Sequence, residues 1–223
     1  PEMIAQIADL PQLNSRIHLP LQSGSDAMLR RMNRKYTVAQ FMERVDWIGR
    51  YMPEAAITTD LIVGFPGETD RDFEQTLDYV RAGVFANAYT FIYSKRRGTP
   101  AALWKQVDAA VASERFKRLA EAQNAVTRAY HERKAGTVVR TLISGISKKD
   151  PTKFAARTTD NVTVVAPLPE DFDERLYPRE PWIDVRVDTA RVWGCSGQAI
   201  RRAVRFADRG SALKPPLVTL LTA

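Results

Sequence analysis

The stretch that most restricts what this chain can become is Ile57 to Thr69, Ile-Thr-Thr-Asp-Leu-Ile-Val-Gly-Phe-Pro-Gly-Glu-Thr. Leu61, Ile62 and Val63 form an unbroken apolar run, the pattern of a strand in a parallel sheet covered on both faces. Gly64-Phe65-Pro66-Gly67 cannot prolong that strand, because proline brings no N–H to the ladder and glycine no side chain to pack. Thr69 with Asp72 forms a capping-box pattern, so a helix opens there. Asp60 needs a reason, since a carboxylate beside such a run is costly to bury unless paired or hydrogen-bonded. In parallel α/β architectures ligands sit at the C-terminal ends of the strands, where Gly64 to Glu68 falls. Two readings stay open: a loop whose glycines and free helix N–H groups approach a ligand, or a strand-ending turn with a surface Glu68.

Taken in order, Pro1 to Leu10 shows a helical pattern (Met3, Ile4, Ile7, Leu10) that starts inside an element, so the expectation is a fragment. Arg16 to Asp26 reads as a short strand and a Ser/Gly loop, with Ser25 capping a helix through Met32. His18 and Gln22, four positions apart, can share one face of an extended segment. A hydrogen-bonded core imidazole is the competing reading of His18. Thr37 with Gln40 caps a helix whose apolar face is Phe41, Val45, Ile48 and Met52. After the central strand, a helix from Asp70 to about Gly83 carries Phe73, Leu77 and Val80, and Ala86 to Tyr93 reads as a third strand. This alternation predicts a wound parallel sheet. Three strands with two raw edges make a poor independent unit, so the missing half is expected upstream.

From Val107 to about Lys134 a long amphipathic helix is predicted, closed by Gly136. Beyond it the period becomes two, at Val138, Arg140 and Leu142, then Phe154 to Thr158, Val162 to Val165, Trp182 to Val192 and Gly197 to Val204. Short strands with such turns predict a small β-barrel or sandwich of about 65 residues. Pro167 to Pro181, with Glu170, Asp171, Asp173 and Glu174, reads as an exposed acidic loop. The resulting division is residues 1–135, sheet and connector helices; 136–205, β module; and 206–223, tail.

Thirty-three basic against 26 acidic residues give a net charge of +7, which suits a polyanionic partner such as RNA. In the β module the basic residues Arg140, Lys148, Lys149, Lys153, Arg157, Arg186, Arg191, Arg201, Arg202 and Arg205 outnumber the acids, with Phe154 and Trp193 near them for stacking. That fits a face reading RNA backbone, or a solvated barrel surface. The one cysteine, Cys195, excludes an internal disulfide and any multi-cysteine metal site supplied by this chain alone. No membrane segment or signal peptide is visible, and no activated Ser or Cys nucleophile has the required constellation.

Several stretches together resemble the methylthiotransferases, a radical S-adenosylmethionine family, in the MiaB type that acts on tRNA. His18-Leu-Pro-Leu-Gln-Ser-Gly-Ser-Asp26 is similar to its HLPLQSGSD segment, and Met32-Asn-Arg-Lys-Tyr-Thr37 to MxRxYT. Asp60 to Thr69 is similar to DxIVGFPGET, and Tyr93 to Ala102 to YSxRxGTPAA. Ser147-Lys-Lys-Asp-Pro151 followed by Arg157-Thr-Thr-Asp-Asn161 is similar to the start of the family's C-terminal TRAM module, with Ala156 where the family has glycine. The Ser147 to Pro151 motif favours this type over the sister enzymes that methylthiolate an aspartate of a ribosomal protein. A non-catalytic RNA-binding module is the other alternative.

The resemblance implies an α/β plus all-β chain: the C-terminal portion of a radical SAM partial TIM barrel, followed by a TRAM β-barrel. It implies S-adenosylmethionine and two [4Fe-4S] clusters as cofactors, with cluster cysteines that this chain lacks. The implied reaction begins with a 5′-deoxyadenosyl radical taking hydrogen from carbon 2 of isopentenyladenosine beside the anticodon, and ends in a methylthio group there. Carried onto matching positions, His18, Gln22, Ser23, Arg34, Asp60, Gly64, Phe65, Gly67 and Glu68 would surround the cofactor. Tyr93 and Arg97 would border the substrate, and Arg140, Lys148, Lys149, Lys153, Arg157 and Asn161 would hold the anticodon arm of tRNA. The implied partners are that tRNA, the missing N-terminal half and a reductant such as flavodoxin or ferredoxin, in the cytoplasm and away from membranes.

Overall fold

A computed structural model describes residues 1–10, 15–169 and 182–202; the acidic segment from Glu170, Arg205 and the tail lie outside the described residues. The elements run α1 (Glu2–Ala8), β1 (Arg16–His18), α2 (Asp26–Arg31), α3 (Val38–Tyr51), β2 (Ala56–Val63), α4 (Asp70–Arg81) and β3 (Asn87–Ile92). A 3-10 turn (Pro100–Leu103), α5 (Ala109–Glu132), β4 (Val138–Ile146), β5 (Lys153–Thr158), β6 (Thr163–Pro167), β7 (Trp182–Arg191) and β8 (Gly194–Arg202) follow. No described helix is long and apolar enough to cross a membrane.

Strands β1, β2 and β3 pair in parallel in that order, with Ile17 opposite Ile57 and Asp60 opposite Tyr89. The predicted caps form. Thr37 and Gln40 close a reciprocal capping box on α3, and Thr69 and Asp72 do the same on α4. Ser25 caps α2 by accepting from the Met28 N–H. Phe41 and Ile48 of α3, Phe73, Leu77 and Val80 of α4 and Leu119 of α5 pack with Ile57, Leu61 and Val63 of β2 into one cluster. Each buried side chain of that size contributes ~1.5–3 kcal/mol, so this cluster anchors the unit.

The run Leu61-Ile62-Val63 predicts cover on both faces, but the described helices lie against one face. Consecutive parallel neighbours joined by crossovers of one hand place every crossover on the same side. Side chains alternate, so Ile62 joins Arg16, His18, Thr58, Asp60, Tyr89 and Phe91 on the other face, where Tyr89 and Phe91 are 43% and 51% exposed while Thr58, at the end that meets α5 and the barrel, is buried.

The second half closes into a barrel in the order β4-β5-β6-β8-β7. Its core is Ile143, Phe154, Ala156, Val164, Ala166, Ile183, Val185 and Val187. Phe154, expected beside an RNA surface, is fully buried, because alternation from exposed Arg157 points Phe154 and Ala156 inward. Along β4, Thr141 and Ile143 are the inward residues, while Val138 and Leu142 face out. Helix α5 joins the two halves. Near its end Tyr130 donates to Asp160 at 2.5 Å, Lys134 pairs with the same carboxylate at 2.6 Å, and the Thr158 hydroxyl adds a third bond. Burial pushes the Asp160 carboxyl up, but Lys134 and these hydroxyls outweigh it and hold the group below its ordinary value.

Candidate functional site at the strand ends

The chain leaving β1 does not simply turn away from the sheet. Leu19 N–H donates to the Thr58 carbonyl, Gln22 N–H to the Asp60 carbonyl and Ile62 N–H to the Gln22 carbonyl, so Gln22 rejoins β2 beside Leu61. Gln22 adopts φ 72°, a left-handed conformation that a side chain resists and its surroundings must enforce. Gly24 lets this loop press on α4: a Cβ there would lie 2.7 Å from the Thr76 Cα. Ser23 is fully buried, and its hydroxyl lies 3.3 Å from that of Thr76. Ser23 is therefore committed to the helix side.

On the open face, His18 Nε2 lies 3.4 Å from Asp60 Oδ2, and His18 Nδ1 lies 3.1 Å from the Thr58 hydroxyl. Ionised Asp60 favours the tautomer with hydrogen on Nε2, which leaves Nδ1 to accept from Thr58. The Asp60 side chain keeps 30% of its exposure, so the strand does not bury an unpaired charge. The Tyr89 ring meets the imidazole edge-on at 6.0 Å. An ordered imidazole–carboxylate pair thus stands on an uncovered sheet beside two exposed aromatic rings.

The loop Gly64 to Glu68 is held from beneath. Gly64 and Gly67 both have positive φ, and a Cβ on either would approach within 2.7 Å of the Ala112 Cβ or the Arg31 Nε. Their freedom is used by packing and by backbone conformation as much as by any ligand. Glu68 turns inward, accepts from the Gly64 N–H at 2.7 Å and pairs with Arg115 at 2.9 Å. Burial pushes its carboxyl above the ordinary value, against the pull of Gly64 and Arg115. Arg115 also donates to the Glu68 carbonyl and, at 2.6 Å, to Asp70. Arg31 donates to the Pro66 carbonyl at 2.5 Å and stacks 4.4 Å over Trp104.

Sequence reasoning missed Arg115, Arg31 and Trp104. The one trace of Arg115 is a charge that falls at helical spacing in the inward row of α5 with Ala112, Leu119 and Gln123. Phe65 is buried and packs edge-on against Tyr93 at 4.9 Å and Trp104 at 6.2 Å. The Tyr93 hydroxyl is buried and finds no hydrogen-bond partner among the described residues. A buried phenol without a partner at the C-terminal end of a strand suits a polar ligand.

The structure brings Gln22, Phe65 and Tyr93 to the C-terminal end of the sheet, while His18, in register with Thr58, and Asp60, opposite Tyr89, lie further down the open face; Arg34 is exposed beyond α2 and Arg97 lies exposed in the turn before Pro100. It separates the basic residues of the barrel. Exposed Lys148 and Lys149 sit in the β4–β5 turn with Lys153, which pairs with Asp150 at 2.7 Å; that pair and Thr152 hold Asp150 down at about 2. Arg157 and Asn161 lie at the other end of β5. Arg140 faces Asp184 at 3.3 Å.

A family profile described as Radical SAM superfamily matches residues 1–80. The tRNA-2-methylthio-N(6)-dimethylallyladenosine synthase of Moorella thermoacetica is 41% identical over 201 residues, 90% of this chain and 44% of the relative. The protein of the same name from Thermoanaerobacter pseudethanolicus is 42% identical over 200 residues, 89% of this chain and 41% of the relative. That from Symbiobacterium thermophilum is 39% identical over 207 residues, 92% of this chain and 43% of its own length. The chain thus spans less than half the length of these curated relatives.

Proposed function

We propose that this chain, which belongs with the MiaB-type radical SAM methylthiotransferases, is the C-terminal part of an enzyme that methylthiolates carbon 2 of N6-isopentenyladenosine beside the tRNA anticodon. The observation that carries the reading is the uncovered sheet face, with the His18–Asp60 pair, Tyr89 and Phe91 on it and the described helices behind it. A parallel sheet bare on one face has the form of a barrel interior opened along its length. Residues 1–135 would be that portion of a partial TIM barrel with its connector helices. Residues 136–205 would be a TRAM-type RNA module.

The strand ends fit S-adenosylmethionine. Tyr93 offers a buried hydroxyl without a partner among the described residues and Phe65 an aromatic wall, with the backbone of Gln22 bound to β2 near them and Asp60 further down the open face. When bound, that cofactor supplies radical and methyl-donor chemistry. Within this chain Asp60 orients His18, and Arg115 and Arg31 keep the Gly64 to Glu68 loop in one shape, so the pocket is formed before the ligand arrives. The chain does not fit an iron–sulfur cluster. Cys195 is the one cysteine, and no group of metal-binding side chains is found among the described residues. The clusters would be held by other residues, with a flavodoxin or ferredoxin as reductant in the cytoplasm.

Lys148, Lys149, Lys153, Arg157 and Arg140 would contact phosphates of the anticodon arm. Mass spectrometry of tRNA nucleosides tests the function: a strain lacking the gene should lose 2-methylthio adenosines and accumulate the isopentenylated precursor. Unchanged 2-methylthio adenosines would count against it.

A further inference from the structure

A second concave site lies away from the strand ends. A cleft of about 190 Å³ opens where the sheet's bare face, the last turns of α5 and the barrel's β5–β6 and β7–β8 turns converge. Thr58, in its wall, precedes Gly64 by six residues, ~20 Å along a strand. The cleft therefore opens at the other end of the sheet from the Gly64 to Glu68 loop, with Tyr89 and Thr58 reaching it from the open face. Its volume falls below the ~300–1,000 Å³ of pockets for drug-sized ligands, which limits the occupant to a fragment the size of one base.

The walls carry aromatic rings and guanidinium groups. Trp193 is 87% exposed. It is half of the two-residue turn between Arg191 and Gly194, which pair in register. Gly194 has φ +135°, and a Cβ there would sit 2.4 Å from the Thr163 carbonyl, so the turn is pressed against β6. His131 Nδ1–H donates to the Arg191 carbonyl at 2.7 Å and ties the same turn to α5. The indole is thus held in solvent on a rigid support. On the opposite wall Arg16 donates to the Tyr89 hydroxyl at 2.6 Å. Arg157 is exposed and spends one N–H on the Asn161 carbonyl at 3.3 Å, out of the five a guanidinium carries. The acid in the cleft, Asp160, is neutralised by Lys134.

We propose that this cleft takes one unstacked base of a single-stranded RNA segment, stacked on Trp193, with the adjoining phosphate on Arg157. Every base has a π-face, so the contact tolerates sequence, and it adds an RNA anchor remote from the reacting adenosine. The inference rests on the reading of this protein as RNA-binding.

The test uses the full-length protein and an anticodon stem-loop carrying 2-aminopurine at successive loop positions. For one position the wild type should change the probe's fluorescence on binding, and Trp193→Ala should remove that change and weaken affinity roughly tenfold, as loss of one base stack does. Trp193→Phe should restore most of both, and Arg157→Gln should weaken affinity and lower the salt slope by about one. Trp193 is exposed, so its replacement leaves the fold intact. If the wild type binds the stem-loop and Trp193→Ala matches it in affinity and fluorescence, the cleft proposal is overturned while the RNA reading stands. If the wild type binds no RNA, both fall.

Discussion

Replacing Arg115 with methionine would strand the Glu68 carboxylate, whose side chain is 1% exposed, with the Gly64 N–H as its remaining donor among the described residues. Breaking a buried ion pair by removing one partner costs about 3–5 kcal/mol, mostly from the charge left behind. Two features place this case near the lower bound: the Gly64 hydrogen bond persists at 2.7 Å, and Glu68 can take up a proton. The second carboxylate, Asp70, is 93% exposed and adds little. The expected loss is therefore about 3 kcal/mol at neutral pH, read from urea unfolding.

The pH dependence of that loss follows from burial, which already raises Glu68 above its ordinary 4.5; without Arg115 it rises further. A carboxyl with a raised folded pKa favours the native state below its unfolded value and loses that contribution as pH climbs through the folded value. The variant should thus recover stability in mildly acidic buffer. Adding Glu68→Gln should return about 1–2 kcal/mol by removing the stranded charge. A loss under about 1 kcal/mol, or one equal at both pH values, would refute the idea that Arg115 neutralises a buried charge under the loop.

Other perturbations separate the remaining roles. Asp60→Ala in the full-length enzyme should abolish methylthiolation and leave tRNA affinity nearly unchanged; parallel loss of both, in activity and filter-binding assays, would make Asp60 structural. Replacing Lys148 and Lys149 together by alanine should lower the slope of log affinity against log salt by about one to two, and an unaltered slope would remove them from the RNA face. Asp160→Asn should cost about 2 kcal/mol through weakened bonds to Lys134 and Tyr130, so calorimetry should show the barrel melting apart from the sheet unit. Because Asp160 titrates below its ordinary 3.8, its contribution in the unmutated protein should hold above that value and fade as pH falls through the folded pKa.

Much of this protein is written in local pattern. The caps at Ser25, Thr37 and Thr69 formed as their spacing predicts, because a cap needs only its own first turn. The change from helical to two-residue period after Gly136 marked the barrel for the same reason. Periodicity shows that a segment has two faces without saying which neighbour covers each. Only the assembled sheet left Ile62 and Asp60 on a bare face, and only barrel closure turned Phe154 inward and Trp193 out. The Arg115–Glu68 pair joins residues 47 positions apart, and burial made it matter. Tertiary structure likewise sent Lys148 and Arg157, nine positions apart, to opposite ends of one barrel. An extended chain carries residues apart at ~3.3 Å each, so closeness in sequence within a strand is distance in space.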